Sequence, residues 1–403
     1  MPVVNGGISA ARPQLIRAMN EQVMLDFIRR TGPLSRADLA RISGLSKPTV
    51  SLALANIERA GLVQAAGHRT GVPGPAAILY EVRPEAGYVL GLDIGRQYIR
   101  GAIADLAGTV RTRTSVRVKA TNGHGRVKEL VALSASLLKE AGVSSSDITQ
   151  TVIGSPGVYD PQRDALGLAG SLPGWESPSV LRDLRDAFGK HLMIENDIDA
   201  AAIAERTHGH GRNVDSFAFV SVGTGIGMGL VIGGKLHRGA HGAAGEIGYL
   251  PFSEGHGTDL DDAKKRGTFE AAASAPAIVR AAKRAGVRAS TSAQKVFDAA
   301  AAGDPKAAAV VAEEAVLVAK AVCSVVTVVD PELIVLGGGV GQAPGFVDTV
   351  AQQLHAISPV APQVVVSALG ADAVVDGCIA AGLDRAWEVL TAAIPAPTAE
   401  TAG

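Results

Sequence analysis

Cysteine is almost missing from this chain: its 403 residues include two, Cys323 and Cys378. They form no CxxC pair and lie in stretches that read as helix. Both are therefore read as small buried apolar residues of a reducing compartment. No apolar run reaches the roughly 18 residues of a membrane span. The opening "MPVVNGGISAARP" lacks the charged-then-apolar plan of a signal peptide. The cytoplasm is the expected location, with no membrane partner. A large net charge is lacking too: the total is −1, which gives no global argument for nucleic acid or membrane.

What the chain does have is length and apolar material. Hydrophobic residues make up 47% and charged residues 19%, which places it among globular proteins. Its length exceeds the roughly 100–200 residues of one domain, so two or three units are expected. Charge is unevenly spread. Residues 1–85 carry ten Lys and Arg against six Asp and Glu, a net +4, and the remainder carries a net −5. A basic head on an acidic body fits a small DNA-binding module.

That head occupies residues 14–82. Leu15, Ile16, Met19, Val23, Phe27 and Ile28 recur at helical spacing, predicting an amphipathic first helix that "TGP" (31–33) stops. "LSRADLARISGLSKPTVSLALANIERAGLV" (34–63) then packs two short helices about a turn at Gly44. Ser35 opens the first, with Asp38 three residues on. Ser46 opens the second, with Pro48 in its first turn. Val50, Leu54 and Ile57 make a buried stripe, leaving Lys47, Thr49, Ser51 and Asn56 to point outward. This is the layout of a helix-turn-helix, whose second helix enters the major groove. After Gly61, "LVQAAGHRTGVPGPAAILYEV" reads as a β-hairpin wing with His68 and Arg69 near phosphates or a minor groove. The expected DNA contacts are Ser35, Ser46, Lys47, Thr49, Ser51, Asn56, His68 and Arg69. The alternative is a three-helix interaction module with a Ser/Thr-rich surface.

Residues 87–392 form the body. "GYVLGLDIGRQYIRGAIADLAGTVRTRTSVRV" predicts three strands, then a helix near 126–142, a strand into "IGSPG" (153–157) and the strand "HLMIEND". A second round begins at "SFAFVSVGTGIGMGLVIGGKLHRG" (216–239). Helices dominate 269–329 before the strand "ELIVLGGG" (332–339). Two βββαβα-like halves with glycine turns at matching places predict an α/β, actin/hexokinase-like body of two lobes, 87–198 and 199–392. Residues 1–13 and 393–403 are expected to be flexible tails. The glycines at 223–229 lack the βαβ context of a dinucleotide fingerprint.

The motifs "GLDIG" (91–95), "GSPG" (154–157), "LPGW" (172–175), "END" (195–197), "VGTGIGMGLVIGGKLHRGAHGAAGEIG" (222–248) and "LGGG" (336–339) resemble those of the ROK family. That group holds repressors, uncharacterised reading frames and sugar kinases. With the winged head, the chain is similar to its repressor branch, which includes xylose and N-acetylglucosamine regulators. ROK kinases continue the first turn as Asp-x-Gly-Gly-Thr, where glycine admits phosphate to the backbone N–H groups. Here Asp93 and Gly95 remain, but Arg96 and Gln97 replace Gly-Thr. The second turn, Gly223-Thr224-Gly225, is intact; it reads equally as a hairpin turn whose glycines need positive φ.

The resemblance implies a sugar pocket of Asn196, Asp197, Glu246 and Glu270. Ser171 stands where the family has a sugar-binding Asn, and Tyr249 where it has His. Carboxylates accepting two ring hydroxyls give strong, directional bonds. Alternatively, Asn196–Asp197 is a helix N-cap and Glu246 a surface loop acid. Members with structural zinc use that His and three cysteines, whose positions here are Asp261, Ala263 and Thr268. All four ligands are replaced, so no metal or other cofactor is expected. "HGTDLDDAKK" offers His256 and acids, read as solvated. His208 and His210 flank Gly209 in a loop, and His237 and His241 shape the cleft.

Two functions are therefore weighed. One is a sugar-responsive transcriptional regulator, a repressor binding a pseudo-palindromic operator as a homodimer, with a tetramer open. The other is an ATP-dependent sugar kinase with an appended head, in which Asp197 is the general base.

Overall fold

Ser35 and Asp38 cap one another at the start of the helix-turn-helix. In the computed structural model, which describes residues 13–69, 77–170, 172–252, 267–288 and 290–394, the Asp38 N–H donates to Ser35 Oγ (3.2 Å). The Ser35 N–H donates back to Asp38 Oδ2 (3.1 Å). This reciprocal capping box satisfies two donors that a helix start leaves orphaned. It launches α2 (Arg36–Ser43), which Gly44 closes in the left-handed conformation at φ 71°, a region costly for any residue with a Cβ. Ser46 then caps α3 (Lys47–Arg59) through the Thr49 N–H.

Before these comes α1 (Pro13–Thr31). After them, β2 (Val63–Arg69) and β3 (Ala77–Val82) pair antiparallel, with the two-residue β1 (Leu34–Ser35) on the far edge of β3. The expected buried stripe of α1 is corrected here. Leu15, Ile16 and Met19 are about half exposed, whereas Met24, Leu25 and Ile28 are buried. The inward face follows Glu21, Met24, Leu25 and Ile28, an i, i+3, i+4, i+7 set turned away from the apolar residues of the first turns.

The body repeats one plan twice. The first sheet holds β4 (Tyr88–Ile94), β5 (Tyr98–Asp105), β6 (Val110–Arg117), β7 (Ile148–Ser155) and β10 (Leu192–Asn196), in the order β10-β7-β4-β5-β6. The second holds β11 (Phe217–Val222), β12 (Ile226–Ile232), β13 (Lys235–Leu236), β14 (Leu333–Gly337) and β15 (Gln363–Val366), in the matching order β13-β12-β11-β14-β15. In each, hairpin-linked strands run antiparallel and the later two join in parallel. The helices α4 (Gly123–Ala141) and α5 (Pro178–Phe188) cover the first sheet around Trp175, which is fully buried. A small hairpin, β8 (Val158–Asp160) with β9 (Ala165–Gly167), lies beside the end of β7.

In the second half, α7 (Thr268–Ala273), α8 (Ala275–Arg284), α9 (Ala293–Ala301) and α10 (Pro305–Val329) precede β14. Asp304 caps α10, with proline in its first turn. Val310, Ala315, Val318, Val322 and Val326 then bury a stripe at helical spacing. The short α11 (Gly338–Gly341) and α12 (Phe346–Ile357) lead to β15.

Two helices lie between the sheets: α6 (Asp197–Thr207), which leaves the end of β10, and the last, α13 (Ala373–Ala392). They cross so tightly that an added Cβ on Gly377 would sit 1.7 Å from the Ala200 carbonyl oxygen. Although last in sequence, α13 packs on the first sheet: Val375 and Ile379 share a cluster with Val89 and Ala102. A split at 198 therefore divides the sheets but not the helices that cover them.

The same apolar cluster continues into the head. Met24, Leu25, Leu54, Ile57 and Tyr80 join Ala386 and Trp387 in one buried group. Arg29 seals the joint, its guanidinium 3.0 Å from Asp384 and over the Trp387 ring at 5.3 Å. No helix of the described residues is long and apolar enough to cross a membrane.

Candidate functional site: the carboxylate cleft and the helix-turn-helix

The end of β10 becomes the start of α6 at "END". Asn196, not Asp197, is the N-cap: its Oδ1 accepts the Ile198 and Asp199 N–H groups (2.9 and 3.0 Å). Its Nδ2 donates to the Gly157 carbonyl at 2.9 Å, which ties "END" to "GSPG". Asp197 follows as the first helical residue, and its Oδ1 also accepts the Ile198 N–H at 2.9 Å. That bond holds the carboxyl down, but burial and the nearby charges of Asp93 and Glu246 outweigh it. The result is a pKa pushed up to about 7.

Asp93, one residue before the end of β4, is directly opposite Arg100 of β5, whose Nη1 lies 3.0 Å from Asp93 Oδ2. Burial raises this carboxyl to about 6 against the pull of Arg100. From the second half, Glu246 precedes a short helical turn at Ile247–Tyr249. Burial and the charge of Glu270 raise it. Glu270, on α7, accepts the Ile226 N–H at 2.8 Å. The Tyr249 hydroxyl is raised by burial and by Glu246, Glu270 and Glu176. Both halves thus send carboxyls into one region, where burial first and their mutual repulsion second raise Asp93, Asp197 and Glu246 above the usual carboxylate range. Such groups both donate to and accept from ligand hydroxyls.

Of the predicted pocket residues, Asn196, Asp197, Glu246, Tyr249 and Glu270 come together, and Ser171 lies outside the described residues. Glu176, four residues after "SL", was not anticipated; it accepts the Ala169 N–H at 2.7 Å and braces that loop.

The phosphate turns differ from expectation in one respect. Neither Gly223 nor Gly225 lies in the left-handed region. What glycine provides at 225 is room instead: a Cβ there would sit in tight contact with Glu270 Oε2, at 3.0 Å. At Gly95 a Cβ would meet the Tyr98 carbonyl oxygen at 2.4 Å, and the buried Arg126 fixes that turn by donating to the Gly95 carbonyl at 2.8 Å. Arg96 and Gln97 are exposed beside it. Among the zinc-position residues, Asp261 and Ala263 lie outside the described residues, as does His256. Thr268 bonds the Leu250 carbonyl (2.7 Å) and the Phe252 N–H (3.0 Å).

The head corrects two expected DNA contacts, Ser35 and Asn56, and gives a third, the exposed Arg69, a partner within the head. Ser35 is 2% exposed and spent in the capping box. Asn56 is 3% exposed; its amide donates to the buried Glu21 at 2.7 Å, joining α3 to α1. Arg69 forms a two-pronged pair with Asp38 (2.7 and 3.2 Å), so it fastens the wing to the helix-turn-helix. Together with Ser35 and Arg41, that pair holds the Asp38 carboxyl far below its ordinary range. Ser46, Lys47 and His68 are exposed, and Thr49 and Ser51 are half-buried on α3.

Fold and site together define a two-lobed α/β body with a carboxylate cleft, carrying a winged helix-turn-helix. The chain belongs to the ROK family, which matches residues 89–381; residues 23–71 match the MarR family. It is 24% identical over 269 residues to the xylose repressor of Bacillus spizizenii, covering 66% of this chain and 68% of that protein. Matches to such repressor relatives span 59% to 68% of their length. In three dimensions the chain is similar to a ROK family transcriptional regulator described as a homolog of the E. coli MLC protein. The TM-score is 0.76 at 23% identity, over 94% of this chain and 98% of the other, a likeness of fold. It is also similar to ROK hexokinase from Thermus thermophilus, with TM-score 0.64 and 30% identity over 75% and 99%.

Proposed function

We propose that this chain is a sugar-responsive DNA-binding repressor of carbohydrate genes whose kinase-derived cleft senses a sugar without phosphorylating it. One observation carries the reading: α13 reaches from the cleft floor to the head. Near its start, Cys378 lies 3.5 Å from the Leu92 carbonyl, one residue before Asp93. Near its end, Trp387 and Asp384 hold Arg29 of α1. A ligand that draws the two sheets together tilts α13 and with it the head. This shifts the population between DNA-competent and incompetent forms. Sugar hydroxyls bind Asp197, Glu246 and Glu270, while Ser46, Lys47, Thr49 and Ser51 face the major groove. A homodimer on a pseudo-palindromic operator fits the single helix-turn-helix per chain. The exposed Leu15, Ile16 and Met19 of α1 offer apolar surface for that association.

The test is fluorescence anisotropy of full-length protein on DNA from upstream of neighbouring sugar genes, with and without a panel of monosaccharides. Saturable binding that one sugar changes is the expected result; no binding to any such DNA overturns the reading.

A second reading, a sugar kinase, has one observation in its favour. Asp197 ionises near 7, the range suited to a general base at neutral pH. A coupled ADP-release assay across the same sugars, beside Asp197→Ala, decides between them. Turnover lost in that variant would establish the kinase. The exposed Arg96 and Gln97 at the first turn lead us to expect none.

A further inference from the structure

A separate cavity of about 410 Å3 opens at the edge of β10, between the β8 hairpin, α5 and the 238–242 loop. Asp93, Asp197, Glu246 and Glu270 do not line it. Asn196 is the shared partition, with its oxygen committed to the α6 N-terminus. Asp197 and Asp199 are two positions apart at the start of a helix, so they project about 200° apart around its axis. The first faces the cleft and the second this cavity.

Three features mark the cavity as built to hold something. Asp199 is 4% exposed, and its Oδ1 has no hydrogen-bond partner among the described residues. A buried polar atom left unpaired is costly, and Asp199 also lines the cavity wall. Glu195, 6% exposed, is paired with Arg238 of the second half, with Nε 3.2 Å from Oε1. The volume also falls within the roughly 300–1,000 Å3 of small-molecule pockets.

The lining selects the ligand class. Its buried charge is matched, Glu195 with Arg238; at the rim Arg185 pairs with Asp164 at 2.6 Å, Asp160 lies 3.8 Å from Arg163, and His241 is exposed. Burial and the neighbouring Glu195 push the Asp199 carboxyl up to about 8, so at neutral pH it is an uncharged acid that both donates and accepts. An ionic ligand finds no unmatched buried charge there, whereas vicinal hydroxyls find donors and acceptors in alternation.

We infer that this cavity is a second small-molecule site, distinct from the sugar cleft, that binds a neutral polyol through Asp199, Glu195 and Arg238. Because the wall combines β10 of the first half with the 238–242 loop of the second, an occupant bridges the two lobes.

The reporter is the methyl NMR signal of Met193, on the β10 wall, in full-length protein labelled at methionine methyls. Met228, whose N–H bonds the Gly245 carbonyl at 3.0 Å beside Glu246, reports the cleft. Xylitol is the probe and succinate the anionic comparison. Xylitol should shift Met193 saturably in the wild type and equally in Glu246→Gln. Asp199→Asn, which keeps a donor and an acceptor, should bind within about threefold of wild type. Asp199→Leu should weaken binding about tenfold or more, since the matched polar groups then face an alkyl chain. Should Asp199→Leu not fold, Ala240→Trp on the exposed loop blocks the cavity and should abolish the Met193 shift. The inference is overturned if xylitol leaves Met193 unmoved, moves only Met228, or binds unchanged in both blocking variants. It is equally overturned if succinate alone binds. Failure of the repressor reading registers in the DNA assay and leaves these signals untouched.

Discussion

Replacing Asp197 by Asn should make the ligand-free protein more stable, and more so in alkali than in acid. Asp197 ionises at about 7 when folded, against 3.8 ordinarily. Between those values only the unfolded chain gives up its proton. The folded state therefore binds more protons, and stability falls as pH rises. The penalty is absent below pH 3.8 and complete above 7. A tenfold change in proton affinity is worth about 1.4 kcal/mol, which puts the full penalty on the order of 4 kcal/mol. Water entry and relaxation of the cleft reduce it, leaving ~1–3 kcal/mol at pH 8 as the expected gain. At pH 5 the gain should shrink to about a third of that. Asn keeps the carbonyl that accepts the Ile198 N–H at 2.9 Å, so the α6 start is undisturbed. Thermal melts at the two pH values read the difference, at about 2–4 °C per kcal/mol for a large domain. An Asn variant melting no higher than wild type at pH 8, or gaining equally at both pH values, refutes the account of a strained carboxylate cluster. The same variant should bind the effector more weakly, because stability and ligand recognition compete at this residue.

The remaining predictions separate reading from scaffolding in the head, and test the link to the cleft. Asn56→Ala strands the buried Glu21 carboxylate, so it should lower stability by ~1–3 kcal/mol while leaving operator base preference unchanged in a site-selection experiment. Lys47→Ala, at the exposed start of α3, should weaken DNA binding and reduce the slope of log affinity against log salt by about 1; an unaltered slope would remove Lys47 from the phosphate contacts. Gly377→Ala drives a Cβ into the Ala200 carbonyl and should cost ~1–3 kcal/mol. If α13 carries the signal, that variant still binds operator but its affinity no longer responds to sugar; a normal response means the signal travels elsewhere.

How much of this was legible in the sequence depended on distance along the chain. The helix-turn-helix was readable because its devices are local: Ser35 and Asp38 are three residues apart, and Gly44 sits in its own turn. The buried stripe of α3 (Val50, Leu54, Ile57) was readable too, but the buried face of α1 and the inward turn of Asn56 were not. Asn56 is drawn inward by Glu21, 35 residues earlier, and periodicity reports a stripe without saying which stripe meets a neighbour. The pairing of Arg69 with Asp38 was hidden too, because the wing brings together residues 31 positions apart. The packing of α13 on the first sheet had no signal at all, since it joins residues nearly 300 positions apart.

The cleft carboxyls were found through motif, and Asp199, inside the same "ENDID", was passed over. Its surroundings come from Gly229, Arg238 and the 238–242 loop, none near it in sequence. The geometry of α6 explains why both acids matter. Asn196 occupies the cap, so its amide supplies the bonds that orient the first turn and neither Asp is needed there. Asp197, which shares the Ile198 N–H, and Asp199 thereby face opposite sides of the helix start, each withdrawn from water with its pKa raised by its surroundings. A junction that needed a capping Asp would have spent one of them on the backbone; an Asn cap leaves two protonatable groups at the point where the lobes meet.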